Sequence, residues 1–462
     1  MRKLFSHARQ SALCSLMAAG LLAACQSVPY QPNPTLQHIK PDEGYRLRLA
    51  LEESAKDGDL VLLMFSGGGS RAAGLGYGVL ETLQQTTFGK GNLLQAVDVV
   101  YGVSGGSVLA AYFALHGERT IPEFRQQFLE QDFEKQVIQE LFLSLPRLGS
   151  SEFGRGDLLQ EQLNRSLFHH QTFAQLQGKR PFALISATDM NAGVKVDFSQ
   201  EFFDILCLDL SALEIARAVA ASSAVPLVFA PLTLNNHGGQ CSQKSAEALV
   251  QSALPLEEIS SPEGLKSKNR DDLQKRIEHY QDAKKRPFIH LVDGGLTDNL
   301  GLSMLLDIHD LSSQEELQER LQQWGVKRVV VINVNAQNEV TSQIDKTAAI
   351  PSTSDVVNAI INIPIDKNSD VALRRFREFT DAWNESMTSK PQHQKIPLHF
   401  ISLRLKDLPE ETPAQSALKD AVLNISTSFY LPPEQIQQLQ QAASILLKQH
   451  QGFQELISQP SH

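Results

Sequence analysis

Short, unbroken apolar runs recur along the 462-residue chain, and turn residues follow them. The first, residues 60–65, reads LVLLMF and ends at a serine and three glycines. Runs of this length that are bounded by turns predict strands buried on both faces of a sheet. Similar runs lie at residues 97–101, 181–187, 288–292, 328–334 and 397–403.

Helical patterns separate these runs. Small and apolar residues over 72–84, and again from 106 to about 115, predict two helices. Residues 434–448 place apolar side chains at helical spacing with glutamines between them, which predicts an amphipathic helix. Its polar face has few basic residues, so we expect it to pack on the domain rather than lie on a membrane. Strands alternating with helices predict an α/β protein of three layers (α/β/α) with a mostly parallel central sheet.

One segment departs from this alternation. Lysine, glutamate, aspartate and glutamine dominate residues 243–286, within an insertion at about 236–286. This composition predicts a solvated, partly helical insertion outside the core.

The N-terminus has the features of an export signal. Arg2 and Lys3 are followed by an apolar stretch at 12–22 that is too short to span a bilayer comfortably. The tetrapeptide 22–25, Leu-Ala-Ala-Cys, resembles the lipobox of bacterial lipoproteins. The resemblance implies removal of residues 1–24 and acylation of Cys25, which would anchor the chain in the cell envelope, with Gln26 favouring the outer membrane. The alternative is a secreted protein with an incidental Cys25.

The prolines at 29, 32 and 34 predict an extended tether over residues 25–45, which leaves 46–462 as one folded domain. A net charge of −10 without a basic stripe excludes a nucleic-acid-binding surface.

Two cysteines remain once the signal and the lipobox are set aside. An oxidising periplasm would permit a disulfide between Cys207 and Cys241. The apolar surroundings of Cys207 favour an unpaired buried thiol, and we expect that state. Cysteine and histidine show no metal-ligand spacing, so no metal site is predicted.

Three glycine-rich segments carry candidate chemistry. Residues 102–106, Gly-Val-Ser-Gly-Gly, lie between a predicted strand and a predicted helix, which is the context of a nucleophile elbow with Ser104 at the turn. Residues 66–71 could present backbone N–H groups to an oxyanion. They lack the phosphate-loop pattern, so nucleotide binding is disfavoured. Asp293, followed by two glycines, ends another buried run and can reach a site at the edge of the sheet, although an ordinary turn is the alternative.

In chain order, residues 67–71, 102–106, 221–226 and 293–295 resemble the four sequence blocks of patatin-like phospholipases. The resemblance implies a patatin-like α/β/α fold and a Ser104–Asp293 dyad that hydrolyses acyl esters of phospholipid or lysophospholipid without a metal or cofactor. It also implies an oxyanion hole built from these residues: Gly67, Gly68, Gly69 and Gly105, with Arg71 holding the loop. A base that works near neutral pH must be less acidic than a free carboxyl group, so we expect Asp293 to be partly buried.

Two points oppose this interpretation. Ala72 stands where the family usually has glycine, and the insertion separates the third and fourth blocks. A Ser–Asp–His triad, which would need His309 or His399, is one alternative. A lipid-binding or scaffold lipoprotein without turnover is the other.

Overall fold

The computed structural model describes residues 30–459, apart from residues 55, 57, 145–146, 242–264 and 339–347. The predicted signal peptide, Cys25 and the centre of the insertion therefore lie outside the described residues. Within the described ranges, no helix combines the length and the apolar character needed to cross a membrane.

The strands form one large sheet and one small ladder. The eight strands of the large sheet run in the order β10-β9-β1-β4-β5-β8-β7, with β6 paired to β5, and β2 pairs with β3 separately. Their bounds are Asp59–Phe65 (β1), Thr87–Phe88 (β2), Gly91–Asn92 (β3), Val97–Val103 (β4), Phe182–Asp189 (β5), Val194–Asp197 (β6), Leu232–Asn235 (β7), Phe288–Val292 (β8), Arg328–Asn335 (β9) and Leu398–Arg404 (β10).

The α-helices lie between and after these strands. Their bounds are Leu47–Ser54 (α1), Gly69–Gln84 (α2), Gly105–His116 (α3), Thr120–Phe124 (α4), Phe133–Leu143 (α5), Arg155–Leu163 (α6), Gln200–Ile205 (α7), Ile215–Ser222 (α8), Leu265–Gln281 (α9), Gly295–Asp298 (α10), Ser303–Leu311 (α11), Gln314–Trp324 (α12), Thr353–Thr388 (α13), Pro413–Leu423 (α14), Pro433–Gln449 (α15) and Gln451–Ser458 (α16).

The sheet is mostly parallel and buried on both faces. Strands β10, β9, β1, β4 and β5 run parallel, whereas β6, β7 and β8 are antiparallel to their partners. Every residue of β1, β4, β5 and β9 is buried, which explains their unbroken apolar runs. The predicted fold class is therefore confirmed. The sequence pattern missed β6 and β7, because four-residue strands that include Lys195 and Thr233 give only a weak period-two signal.

Helices cover the two faces of the sheet. On one face α2 and α3 pack on β1 and β4, with α15 behind α2. The contact between α2 and α15 is close, because a Cβ on Gly78 would lie 2.7 Å from the Cα of Gln440. On the other face, side chains of α11, α12 and α13 surround Leu62 and Val331. The predicted packing of the 434–448 helix on the domain is therefore confirmed.

The charged insertion is only partly solvated. Its helix α9 ends with Ile277 and Tyr280 buried. The Tyr280 hydroxyl and the Arg286 guanidinium both donate to Oδ2 of Asp189, at 2.7 and 2.6 Å. The prediction that the insertion lies outside the core is thus wrong for its C-terminal end, because a buried carboxylate at the end of β5 requires these donors.

Cys207 and Cys241 form a disulfide, so the expectation of an unpaired thiol is wrong. The segment that leads to Cys241 lies beside Cys207, and there the His237 N–H donates to the Leu206 carbonyl at 3.0 Å. The burial of Cys207 was expected correctly, but burial alone does not exclude pairing.

Residues 30–45 lie on the domain rather than forming a free tether. The Asn33 N–H donates to Asn235 Oδ1 at 2.8 Å. The Leu36 N–H donates to the Cys207 carbonyl at 2.9 Å. Tyr45 is buried, and its hydroxyl donates to the Ala183 carbonyl at 2.9 Å. The predicted tether is therefore wrong from Tyr30 onward, because specific hydrogen bonds hold this proline-containing segment.

Candidate active site

Ser104 lies at a sharp turn between β4 and α3. Its φ of 51° and ψ of −127° are unusual for a residue with a side chain and are strained. Glycine is required next to it, because a Cβ on Gly105 would lie 1.9 Å from the carbonyl oxygen of Gly69. This is the geometry predicted for the elbow. We call the edge of the sheet formed by the carboxyl ends of β1 and β4 the Ser104 edge.

Ser222 supports the strained turn. The Ser104 N–H donates to the Ser222 hydroxyl at 2.9 Å, and that hydroxyl donates to the Ser186 carbonyl at 2.6 Å. Ser222 belongs to the 221–226 block, whose role the sequence did not indicate. A serine at the end of a helix is too common for its hydroxyl to be assigned a partner from sequence alone.

Asp293 is in direct contact with Ser104. The Ser104 hydroxyl donates to Asp293 Oδ2 at 2.8 Å, and the Gly295 N–H donates to Oδ1 at 2.8 Å. Burial raises the pKa of Asp293 from its ordinary value of 3.8 to about 6, against a lowering by these two hydrogen bonds. The structure thus places Ser104 and Asp293 in the contact that the sequence predicted, and Asp293 is buried as expected.

Hydrogen bonds with two segments, residues 221–226 and β5, hold the backbone at Asp293. Its N–H donates to the Ala224 carbonyl at 3.0 Å, and the Gly294 N–H donates to the Ser222 carbonyl at 3.1 Å. The Thr188 hydroxyl donates to the Asp293 carbonyl at 2.9 Å. The 221–226 block therefore positions Asp293 as well as Ser104.

The backbone N–H groups of the predicted oxyanion loop differ in whether they already have a hydrogen-bond acceptor. The Gly67 N–H already donates to Asn299, with Oδ1 at 3.1 Å and the carbonyl oxygen at 3.2 Å, so it is not available to an oxyanion, contrary to expectation. Gly69 and Gly105 begin α2 and α3, where N–H groups have no intrahelical acceptor. Among the described residues, no acceptor contacts the N–H of Gly68, Gly69 or Gly105.

Arg71 holds the loop in place. It is buried, and its guanidinium donates to the carbonyls of Ala336 and Ile425, each at 2.7 Å. Burial lowers its pKa to about 10. The Arg71 guanidinium thereby joins the glycine loop to two distant loops, one after β9 and one after α14. Ala72, the departure from the family pattern, is buried within α2, which continues to Gln84 without interruption.

Neither candidate histidine hydrogen-bonds to the pair. The Nδ1 atom of His309 lies 3.2 Å from Asp310 Oδ1. His399 lies on β10, which β9 and β1 separate from β4. Among the described residues, no histidine hydrogen-bonds to Ser104 or Asp293, and both Asp293 oxygens already have donors.

A separate cavity of about 480 Å³ lies away from this site. Residues of α7, α9 and α11 line it, together with the half-buried ion pair between Lys195 and Asp197. Ser104 and Asp293 do not line it. In the part of the chain that the structure describes, no group of three His, Cys, Asp or Glu side chains could hold a metal ion.

The Ser104 hydroxyl and the buried Asp293 carboxylate are thus in contact beside a loop of three glycines. The model of the patatin-like phospholipase family matches residues 63–306, which is more than half of the chain. The chain therefore belongs to the patatin-like phospholipase family and is a lipid hydrolase. No curated protein sequence matches the chain.

Three solved structures show more distant likeness. Human GIVD cytosolic phospholipase A2 is 13% identical, with a TM-score of 0.48 over 91% of this chain and 68% of that chain. VipD from Legionella pneumophila is 13% identical, with a TM-score of 0.29 over 91% and 73%. The type III effector protein ExoU is 13% identical, with a TM-score of 0.23 over 85% and 75%. The family assignment rests on the sequence model alone.

Proposed function

We propose that this protein hydrolyses acyl esters of phospholipids or lysophospholipids with Ser104 as nucleophile and Asp293 as its only side-chain base. The observation that carries the proposal is the 2.8 Å hydrogen bond from the buried Ser104 hydroxyl to Asp293 Oδ2. A base must lie within hydrogen-bond reach of the proton that it takes, and its pKa must be near the working pH. Asp293 meets both conditions, with a pKa raised to about 6.

The reaction would proceed in two halves. Ser104 Oγ attacks the ester carbonyl carbon while its proton moves to Asp293, and the resulting oxyanion accepts hydrogen bonds from the unused amides of Gly68, Gly69 and Gly105. The intermediate then expels the alcohol, which takes the proton from Asp293. In the second half, Asp293 takes a proton from water as the water attacks the acyl-enzyme. The fatty acid leaves, and the proton returns to Ser104.

The test is labelling with a fluorophosphonate probe, with the adduct mapped by mass spectrometry of peptides. We expect one adduct, on Ser104, and a labelling rate about 10²–10⁴-fold lower in Asp293→Asn. Asp298→Asn is the matched control, because Asp298 is also buried with a pKa raised to about 6 but bonds to the Ser303 N–H rather than to Ser104. An adduct on another residue, or full labelling of Asp293→Asn, would contradict the dyad. A folded protein without any adduct would favour the scaffold alternative.

We also propose that Cys25 carries the lipid anchor and that the protein lies on the bacterial outer membrane. The support is the sequence of residues 1–25 alone. We expect the mature chain to begin at an acylated Cys25, which mass spectrometry of the N-terminal peptide would detect. Cys25→Ser should move the protein from the membrane fraction to the soluble fraction, and Cys14→Ser should not. A Cys25→Ser protein that stays in the membrane fraction would overturn the anchor.

A further inference from the structure

Helix α13 runs past the Ser104 edge. Near its C-terminus, the Trp383 indole N–H donates to the Ile396 carbonyl and Asn384 donates to the Leu398 carbonyl, both at 2.8 Å and both at the start of β10. Nearer the N-terminus of the helix, the Asn299 side-chain amide donates to the Ser369 hydroxyl at 3.5 Å. Asn299 is the residue whose oxygens accept the Gly67 N–H. The helix therefore runs from the Ser104 edge toward the beginnings of the parallel strands. At about 1.5 Å per residue, its first turns extend roughly 20 Å past Ser369.

The part that extends beyond the edge carries exposed apolar side chains. Residues 353–365 include a single charged side chain, Asp355. Val356, Ile360 and Ile363 are 47%, 68% and 58% exposed. Their spacing of four and three residues places them on one face of the helix. An exposed apolar stripe of this kind marks a surface that meets a partner or a membrane.

Other exposed apolar side chains lie beside the same edge. Leu227 and Val228 follow Ala224, whose carbonyl holds the Asp293 N–H, and both are more than half exposed. Met190, in the turn after β5, is 62% exposed. We call these six residues the apolar rim: Met190, Leu227, Val228, Val356, Ile360 and Ile363.

The described chain also begins on this side. Only the last two residues of β8 pair with the end of β5, so Phe288 at the start of β8 lies beyond the Ser104 edge. The Tyr30 ring packs edge-on against Phe288 at 5.6 Å, and its hydroxyl donates to Asn235 Oδ1 at 3.1 Å. Cys25 is five residues before Tyr30, which limits their separation to about 17 Å. An acyl anchor at Cys25 would hold the Ser104 edge close to the membrane.

We propose that the apolar rim, with residues 353–365 of α13 as its main element, docks into the surface of the phospholipid bilayer that supplies the substrate. The inference rests on the proposed function, because it takes the substrate of Ser104 to be a membrane lipid. The rim carries no basic cluster, so burial of apolar side chains drives the contact rather than attraction to anionic head groups. Docking therefore tolerates neutral lipid and high salt.

The experiment uses residues 26–462, which contain the whole described fold but no anchor. The parent is compared with Ile360→Asn/Ile363→Asn and with Ile138→Asn. Ile138 is a matched control, since it is also exposed, at 47%, on α5. Its neighbours Gln136 and Glu140 contact Gln162 and Arg165, near the C-terminal end of α6, and none of these residues belongs to the apolar rim. Each protein is floated with phosphatidylcholine vesicles in 0.1 M and 1 M salt, and each is labelled with a soluble fluorophosphonate probe.

We expect the rim variant to lose about tenfold or more of its vesicle binding at both salt concentrations, with Ser104 labelling within about twofold of the parent. Ile138→Asn should match the parent in both assays. Three results would overturn docking on the bilayer: unchanged vesicle binding by the rim variant, parent binding that 1 M salt abolishes, and a parent dimer that the rim substitutions dissociate. The last would assign the rim to a second copy of the chain. Loss of labelling in every protein would instead count against the proposed function while flotation still reports docking.

Discussion

The Ser222 hydroxyl accepts the backbone N–H of Ser104 at 2.9 Å, so a side chain 118 residues away holds the turn in its strained conformation. Without this acceptor, the N–H would be buried and unpaired, which costs about 1–3 kcal/mol. We expect Ser222→Ala to lower the free energy of unfolding by that amount and the fluorophosphonate labelling rate by about tenfold.

The neighbouring serine provides the control for that substitution. Ser223 is equally buried, but its hydroxyl has no hydrogen-bond partner among the described residues. Ser223→Ala should leave both quantities close to those of the parent. Equal effects of the two substitutions in urea unfolding and labelling would show that Ser222 has no special role.

The activity should depend on ionised Asp293. Burial raises the pKa of Asp293 to about 6, so the proposed base is protonated below that pH and ionised above it. We expect kcat/KM for a neutral short-chain ester to reach a plateau above about pH 7 and to be roughly tenfold lower at pH 5. The profile of Asp298→Asn should keep the same inflection. A shifted inflection in that variant would assign the titration to Asp298 instead.

The same burial should make Asp293 a source of instability. Its pKa in the folded state is about 6, above the ordinary value of 3.8, so the native carboxyl retains a proton that the unfolded chain releases. Folding therefore loses stability as the pH rises from about 4 to 6, by about 3 kcal/mol in total. Asp293→Asn cannot ionise and should be more stable than the parent by about this amount at pH 8, and equal to it near pH 3.5. Urea unfolding at the two pH values measures this difference, and a variant less stable at pH 8 would contradict it.

Arg71 should be irreplaceable by lysine. One planar guanidinium reaches both the Ala336 and Ile425 carbonyls, and a single ammonium cannot do so with the same geometry. We expect Arg71→Lys to lower the free energy of unfolding by about 3 kcal/mol and to slow labelling of Ser104. Arg404→Lys is the control, because Arg404 pairs with Asp407 at the surface, where replacing one cationic side chain by another costs little. Similar losses in both variants would refute a special role for Arg71.

The disulfide should contribute measurably to stability. Cys207 and Cys241 close a loop of 34 residues, and such a cross-link stabilises a protein by about 2–4 kcal/mol. We expect Cys241→Ala to lower the Tm and to remove its dependence on reducing agent. A parent whose Tm is insensitive to reducing agent would show that the bond does not form in solution.

Local pattern was sufficient to predict the fold class, whereas the pairing of Ser104 with Asp293 was predicted only from the resemblance of four ordered sequence blocks to a known family. Strands buried on both faces leave continuous apolar runs, as in β1 and β9, and an elbow leaves glycines on both sides of its serine. What could not be predicted depends on contacts between distant segments. No recognisable motif surrounds Asn299, yet its side-chain oxygen accepts the hydrogen bond of the Gly67 N–H. No motif marks the Tyr280 contact with Asp189 either, although this contact joins the charged insertion to the core.

The hydrogen bond between Ser104 and Asp293 joins residues 189 positions apart. During synthesis, the nucleophile therefore leaves the ribosome long before its base, and β8 must enter the sheet before the two can meet. An incomplete or partly unfolded chain cannot assemble the proposed dyad. With the proposed dyad, hydrolysis would therefore begin only after β8 has joined the sheet.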